Sequence, residues 1–122
     1  ETILAHTEEF LGGRNEITTM MKARSSMGRN FIEVCKCAGW GDVGYTNRWT
    51  MEITNNSRFY TIPLVVGRRI AQIGFLHVGP VLKSDYTGAG KYQETTNMKK
   101  IQKEWSPLSM LPRLYKDREI KK

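Results

Sequence analysis

The chain is divided into short strand-like segments by turns rich in glycine, asparagine and serine, and this division limits the folds open to it. Apolar and polar residues alternate within the segments, which is typical of half-buried β-strands. We expect strands over 2–7, 16–23, 30–37, 48–54, 59–64 and 69–78. One helical pattern occurs at 95–105, before Pro107, and an extended tail follows from Leu111. The sequence therefore predicts an all-β sandwich, barrel or jelly roll with one short C-terminal helix.

Length and composition are those of one globular domain. With 122 residues the chain can bury a core of its own, and 39% of its residues are apolar. No apolar run approaches the roughly 18 residues that a transmembrane helix needs, so we expect no membrane association and a cytoplasmic protein. The net charge of +7 favours an acidic partner. Because the basic residues are scattered, a small anion is favoured over nucleic acid.

Two cysteines, Cys35 and Cys37, lie two positions apart in a predicted strand. Side chains at that spacing point the same way, which does not suit a relaxed disulfide. No second pair is present to complete a zinc site, and the H-x-E pattern at His6 lacks the P-C-x-x-C partner of zinc deaminases. We therefore expect two reduced, buried thiols and no zinc.

Polar residues cluster in the segment 24–29, Arg-Ser-Ser-Met-Gly-Arg. Guanidinium groups and hydroxyls pair well with phosphate oxygens, and Gly28 allows close approach of the backbone. An ordinary loop at a strand end has a similar composition. The segment is therefore a candidate phosphate-binding loop.

Three other positions carry residues suited to a nucleotide, each with a structural alternative. Asp42, between Gly41 and Gly44, either caps backbone amides or accepts a hydroxyl beside the ring of Tyr45. The segment 88–93 either closes over an anion or forms a mobile hairpin. Glu52 lies on the polar face of its predicted strand, where it is either solvated or a candidate general base.

Together these segments resemble the deoxycytidine triphosphate (dCTP) deaminase branch of the deoxyuridine triphosphatase (dUTPase) superfamily. The segment 24–29 matches the family's R-S-S-x-[AG]-R loop, and 42–45 matches its D-P-G-[WY] turn with valine in place of proline. The segment 67–72 matches G-x-x-I-x-Q, and 91–93 matches [KR]-Y-Q. The segment 4–9 is similar to an early strand of the family.

The resemblance implies a distorted dUTPase-like jelly roll or β-barrel, and a homotrimer with active sites between subunits. Glu52 follows Asp42 by ten residues and Arg29 by twenty-three, as the family's catalytic glutamate does. Hydrolytic deamination of dCTP to dUTP is implied, with no metal in the chemistry and with Glu52 as the base that activates water. Ser25 and Arg29 would orient Glu52 and that water.

The resemblance also implies the substrate contacts. Asp42 would accept the sugar hydroxyl, and Tyr45 would pack against the deoxyribose. The triphosphate, with Mg²⁺ on its phosphates, would be held by Arg24, Ser26, Tyr86, Lys91 and Gln93. Further candidate ligands are dUTP and dTTP. We expect residues 1–122 to form a single domain that lacks the longer N-terminal portion usual in the family.

Two other functions stay open at this point. One is a dUTP diphosphatase or a bifunctional deaminase and diphosphatase, which would release pyrophosphate. The other is a non-catalytic nucleotide-binding or assembly subunit, which would bind without turnover. Diphosphatases of the superfamily are typically apolar at the position of Glu52, and they end in a glycine-rich segment that this tail lacks. These two differences favour the deaminase.

Overall fold

The computed structural model describes residues 1–117 and 119, and this part of the chain consists mainly of antiparallel strands. The strands are β1 (Thr2–Gly12), β2 (Ile17–Ala23), β3 (Ile32–Val34), β4 (Trp40–Gly41), β5 (Thr46–Asn55) and β6 (Ala71–His77). They form two three-stranded sheets, with the orders β1-β5-β3 and β4-β2-β6. The prediction of an all-β fold class is therefore confirmed.

Short helical segments lie between and after the strands. They are α1 (Ser25–Gly28), α2 (Tyr86–Ala89), α3 (Met98–Glu104) and the 3₁₀ turns Pro107–Met110 and Leu114–Lys116. The helix predicted at 95–105 is confirmed in shorter form, because the Asn97 side chain caps it by accepting a hydrogen bond from the Lys100 amide. The expectation of a single helix and a fully extended tail is wrong, since one-turn helices occupy parts of both the loops and the tail.

The strand predicted at 59–64 is also wrong. This segment is irregular, and Phe59 and Tyr60 are exposed. Side chains just before the segment bind its backbone, since Ser57 Oγ accepts hydrogen bonds from both of those amides and Asn55 Nδ2 donates to the Tyr60 carbonyl. Pro63 has no amide to donate to a sheet. The segment therefore leaves the sheet after β5.

β3 is shorter than the predicted strand 30–37 because the backbone turns at its end. Cys35 and Lys36 adopt positive φ angles of 64° and 38°, which are outside the β region. The prediction that Cys35 and Cys37 share one buried strand face is therefore wrong, since Cys35 is buried and Cys37 is exposed. Both thiols are free in the structure.

β5 is the central strand of the first sheet and pairs with β1 on one side and β3 on the other. Its alternate residues Trp49, Met51 and Ile53 are buried, as the sequence predicts. They share a core with side chains from β2, α1 and β3, so that both sheets contribute to one hydrophobic cluster. Among the described residues, no helix has the length and apolar character needed to cross a membrane.

The buried indole of Trp49 generates a stability prediction. Trp49 is 3% exposed and its Nε1 donates to the Leu11 carbonyl at 3.0 Å, whereas Trp40 is 53% exposed. Trp49→Ala should lower the free energy of unfolding by about 3 to 5 kcal/mol, because it leaves a cavity and an unpaired carbonyl. Trp40→Ala should cost less than about 1 kcal/mol. Urea denaturation of the two variants checks this, and equal losses would contradict the placement of Trp49 in the core.

Candidate functional site

A pocket of about 550 Å³ lies between the turn 42–45 and the segment 81–92. It is lined by Asp42, Val43, Val81, Ser84, Asp85, Tyr86, Gly90, Lys91 and Tyr92. The pocket thus brings together three residues from the sequence prediction, Asp42, Tyr86 and Lys91. They come from segments more than forty residues apart, so the fold creates this grouping.

The glycine of the turn makes the junction between the two segments possible. Gly44 has a φ of 96°, and a Cβ atom at this position would lie 2.9 Å from Cγ of Asp85. The Tyr86 amide donates to the Val43 carbonyl at 2.8 Å, and this bond fixes the start of α2 against the turn. Asp85 caps α2 by accepting a hydrogen bond from the Thr87 amide at 3.0 Å.

Aromatic rings support the pocket. Tyr45 is half-buried and packs edge-on against Tyr86 and Trp49, with ring centroids 5.2 Å and 5.8 Å away. Burial raises the pKa of both Tyr45 and Tyr86 above the usual value for a phenol. Both phenols therefore stay neutral near pH 7. Tyr86 lines the pocket, whereas Tyr45 is outside its lining and donates its hydroxyl to the Arg48 carbonyl at 3.4 Å.

Gln93 ties the two segments together from within. It is 4% exposed, its Oε1 accepts a hydrogen bond from the Thr46 amide at 2.8 Å, and its Nε2 donates to the Gly44 carbonyl at 2.9 Å. Both ends of the amide are thus bound to the backbone beside the turn. The phosphate contact predicted for Gln93 stays a prediction, and in this structure the side chain holds the pocket's second segment in place.

Lys91 supplies a positive charge to the pocket. Its Nζ lies 2.9 Å from an oxygen of the Asp117 carboxylate. The hydrogen bond that the Lys91 amine donates to the Asp117 carboxylate is the main cause that raises the pKa of Lys91. The amine is therefore charged at neutral pH, as binding of a phosphate would require.

The residues of the candidate phosphate-binding loop, 24–29, form a second region. Arg24 precedes α1, whose first residues are Ser25 and Ser26, and Arg29 follows it; all four residues are exposed. Arg24 donates through its amide and its guanidinium to the carbonyls of Ile70 and Arg69. This contact joins two of the motif segments, 24–29 and 67–72. Within the described residues, no hydrogen bond or ion pair links the four side chains to Glu52 or to the pocket lining.

Glu52 is opposite Leu4 of β1 and points away from the core. Glu52 is half-buried, and its Oε2 is buried without a hydrogen-bond partner among the residues that the structure describes. The prediction that Glu52 lies on the second face of its strand is confirmed, and the structure shows that this face is partly covered. A carboxylate oxygen in this state can accept a proton or a hydrogen bond from a ligand or water.

Cys35 is next to Glu52. Its amide donates to the Glu52 carbonyl oxygen at 2.9 Å, and its side chain is 1% exposed. Burial, followed by the negative charge of Glu52, raises the pKa of the Cys35 thiol to about 12. The thiol therefore stays neutral close to the carboxylate.

Sequence reasoning missed Asp85 and Arg113. Asp85 has a local signal, because aspartate is one of the residue types preferred at the position just before a helix. Arg113 has no local signal. It contacts Lys91 and Tyr92, which are about twenty residues earlier in the chain, and this contact exists only in the folded protein.

Comparison with known proteins identifies the family. A family model described as dCTP deaminase-like matches residues 1–78, and the chain belongs to this family, as the sequence motifs predict. Three curated relatives carry the name "dCTP deaminase, dUMP-forming". The relative from Persephonella marina is 34% identical over 102 residues, which are 81% of this chain and 54% of the relative.

The second relative, from Leptospira biflexa, is 40% identical over 92 residues, covering 74% of this chain and 48% of its own length. The third, from a Hydrogenobaculum species, is 40% identical over 77 residues, covering 62% of this chain and 41% of the relative. The chain therefore spans about half the length of the curated relatives it matches.

The contact between Gly44 and Asp85 can be tested against a matched glycine. Gly44 and Gly79 both have positive φ angles, but among the described residues other than its chain neighbours no atom lies within 4 Å of a Cβ built on Gly79. Alanine at either position should cost about 1 to 2 kcal/mol through backbone strain. Gly44→Ala should cost about 1 to 3 kcal/mol more, because Asp85 must move. Thermal unfolding of both variants measures the difference, and equal losses would contradict the close contact.

The two thiols should differ in reactivity. Because the thiolate is the reactive form, the raised pKa and burial of Cys35 should protect it from iodoacetamide at about pH 8, while the exposed Cys37 reacts. Mass spectrometry of peptides identifies the labelled site. Denatured protein should be labelled at both cysteines, and Cys37→Ser should remove labelling of the folded protein. Labelling of both thiols at one rate in the folded state would contradict the prediction.

Proposed function

We propose that this protein catalyses the hydrolytic deamination of dCTP, with Glu52 as the general base. The observation that carries the proposal is the buried, unpartnered Oε2 of Glu52 in a chain of the dCTP deaminase-like family. A carboxylate that has no internal partner is free to take a proton from water. Its spacing from Asp42 and Arg29 also matches the family's catalytic glutamate.

The proposed reaction replaces an amino group with oxygen. Glu52 takes a proton from a water molecule, and the water oxygen forms a bond to the ring carbon that carries the amino group. Glu52 passes this first proton to the adjacent ring nitrogen, then takes the proton of the added hydroxyl group and gives it to the amino nitrogen. The carbon–nitrogen bond breaks, the oxygen becomes a carbonyl, and ammonia leaves a uracil ring. A positioned general base typically contributes about 10²- to 10⁴-fold to such a rate.

The proposed substrate site uses the pocket and its neighbouring turn. Asp42 would accept the sugar hydroxyl, Tyr45 would pack against the deoxyribose, and Tyr86 would contact the triphosphate. The charged amine of Lys91 would bind phosphate oxygens. Mg²⁺ would be bound by the phosphate oxygens of the substrate, where it would reduce the negative charge of the triphosphate. Among the described residues no group of three His, Cys, Asp or Glu side chains could hold a metal ion. Two carboxylates of the pocket lining, Asp42 and Asp85, are nevertheless oxygen ligands of the kind that Mg²⁺ prefers.

The proposal includes a homotrimer of jelly-roll subunits with sites between the copies. Arg24, Ser25, Ser26 and Arg29 are exposed, and within the described residues of one chain no hydrogen bond or ion pair joins their side chains to Glu52. A second copy would have to supply these residues to the site. Exposed apolar side chains such as Val66, Phe75 and Leu82 would provide area for that contact.

The names of the relatives favour the bifunctional alternative over release of dUTP. In that alternative a second water attacks the phosphorus next to the sugar, a phosphorus–oxygen bond breaks, and pyrophosphate leaves deoxyuridine monophosphate (dUMP). A non-catalytic subunit would bind the same nucleotide and release neither product. The three functions therefore differ in products that one assay can separate.

The test is incubation of the protein with dCTP and Mg²⁺, with chromatography of the nucleotides and an assay for ammonia. Glu52→Gln should lower kcat by about 10²- to 10⁴-fold while dCTP still binds, because the amide cannot accept the proton. Glu33→Gln is the matched control, since Glu33 is a half-buried glutamate on the adjacent strand β3. Its kcat should stay within about twofold of the wild type.

The products decide between the alternatives. Formation of dUTP supports a deaminase alone, and dUMP with pyrophosphate supports the bifunctional enzyme. Nucleotide binding without ammonia release would overturn the enzymatic proposal and support the non-catalytic subunit. Full activity of Glu52→Gln would reject Glu52 as the base.

A further inference from the structure

The segment 111–117 packs against the lysine side of the pocket through Arg113 and through Asp117, whose carboxylate accepts a hydrogen bond from Lys91 Nζ at 2.9 Å. The Arg113 backbone amide donates to the Tyr92 hydroxyl at 3.2 Å, and its Nη1 donates to the Lys91 carbonyl at 3.0 Å. The guanidinium carbon also lies 5.6 Å from the centroid of the Tyr92 ring. Arg113 thus holds both the backbone of Lys91 and the side chain of Tyr92.

These contacts continue into the pocket wall. The Tyr92 amide donates to the Tyr86 hydroxyl at 3.1 Å, and the Tyr86 ring packs edge-on against Tyr45. Tyr86, Lys91 and Tyr92 all line the pocket, whereas Arg113 is outside its lining. A substitution at Arg113 would therefore alter the pocket lining through its contacts with Lys91 and Tyr92.

The shape of the arginine side chain explains why this residue type suits the position. A guanidinium group can stack on an aromatic ring while one of its N–H groups donates to a carbonyl, and a lysine amine has no plane with which to stack. The segment 88–91 contains two glycines, whose backbone is less restricted than that of other residues. Arg113 adds a restraint from a distant part of the chain to those that Gln93 and Asp117 supply.

We propose that Arg113 is a positioning residue that fixes the Lys91–Tyr92 backbone, so that the Lys91 amine is held at the pocket for the phosphates of the substrate. The identity of that substrate rests on the function proposed above. Arg113 acts through Lys91 and contributes to binding, not to the chemical step. The residue is beyond the region 1–78 that the family model matches.

Steady-state kinetics of the full protein with dCTP test this role. Arg113→Ala should raise KM about tenfold and leave kcat within about twofold, because it removes a hydrogen bond and a stacking contact that orient a binding group. Arg113→Lys keeps the charge and should give a smaller rise, of about threefold. Arg58→Ala, at an exposed arginine in the loop after β5, is the matched control and should leave KM unchanged.

A double-mutant cycle with Lys91→Ala tests whether Arg113 affects substrate binding through Lys91. If Arg113 acts through Lys91, Arg113→Ala should raise KM no further in the Lys91→Ala background. A full additional tenfold loss in that background would overturn the inference. An unchanged KM in Arg113→Ala alone would also overturn it.

Hydrogen exchange gives a readout that does not depend on nucleotide. In Arg113→Ala the amide of Tyr92 should exchange at least about tenfold faster, while amides of β5 keep their protection because the core is intact. Unchanged exchange at Tyr92 would reject the positioning contact whatever the activity. If exchange accelerates as expected but the wild type neither binds nor converts dCTP, the proposed function fails and the role of Arg113 in substrate binding fails with it.

Discussion

The alternation of side chains along β5 is the constraint on which the rest of the structure depends. Trp49 and its apolar neighbours fill the core from one face, while Glu52 extends from the other. The strand is paired on both sides, so its register cannot slip by one residue without exposing the core face. The forces that bury the indole thus also set the direction in which the carboxylate points.

The turn at 42–45 connects the core to the pocket. Since Tyr45 packs on Trp49, the turn is fixed relative to the core, and the bonds of Gln93 and Tyr86 fix the following segment relative to the turn. Every step is a direct contact between neighbouring groups. The position of Lys91 therefore depends on hydrophobic packing in β5, although the two are far apart in sequence.

Local patterns predicted the parts of the molecule that local forces determine. Strands β2, β5 and β6 followed from alternation, and Asp42 and Lys91 followed from motifs. The segment 59–64 has the same alternation, but hydrogen bonds from Ser57 and Asn55 take its backbone out of the sheet. The positive φ of Cys35 could not be foreseen, because a cysteine rarely adopts it without support from tertiary contacts. The place of Arg113 depends on a contact across twenty-one residues, which has no periodic signal.

The amide of Gln93 has a consequence for the order of folding. Its two hydrogen bonds join groups that are 47 and 49 positions apart, so they form only after the chain has closed a large loop. The pairings of β1 with β5 and of β2 with β6 span separations of similar size, but Gln93 follows all six strands in the sequence. During synthesis the sheets could therefore assemble around the β5 core before the pocket exists. A ligand that binds the pocket would selectively stabilise the region that forms last. It would also make local opening of the segment 81–93 less frequent.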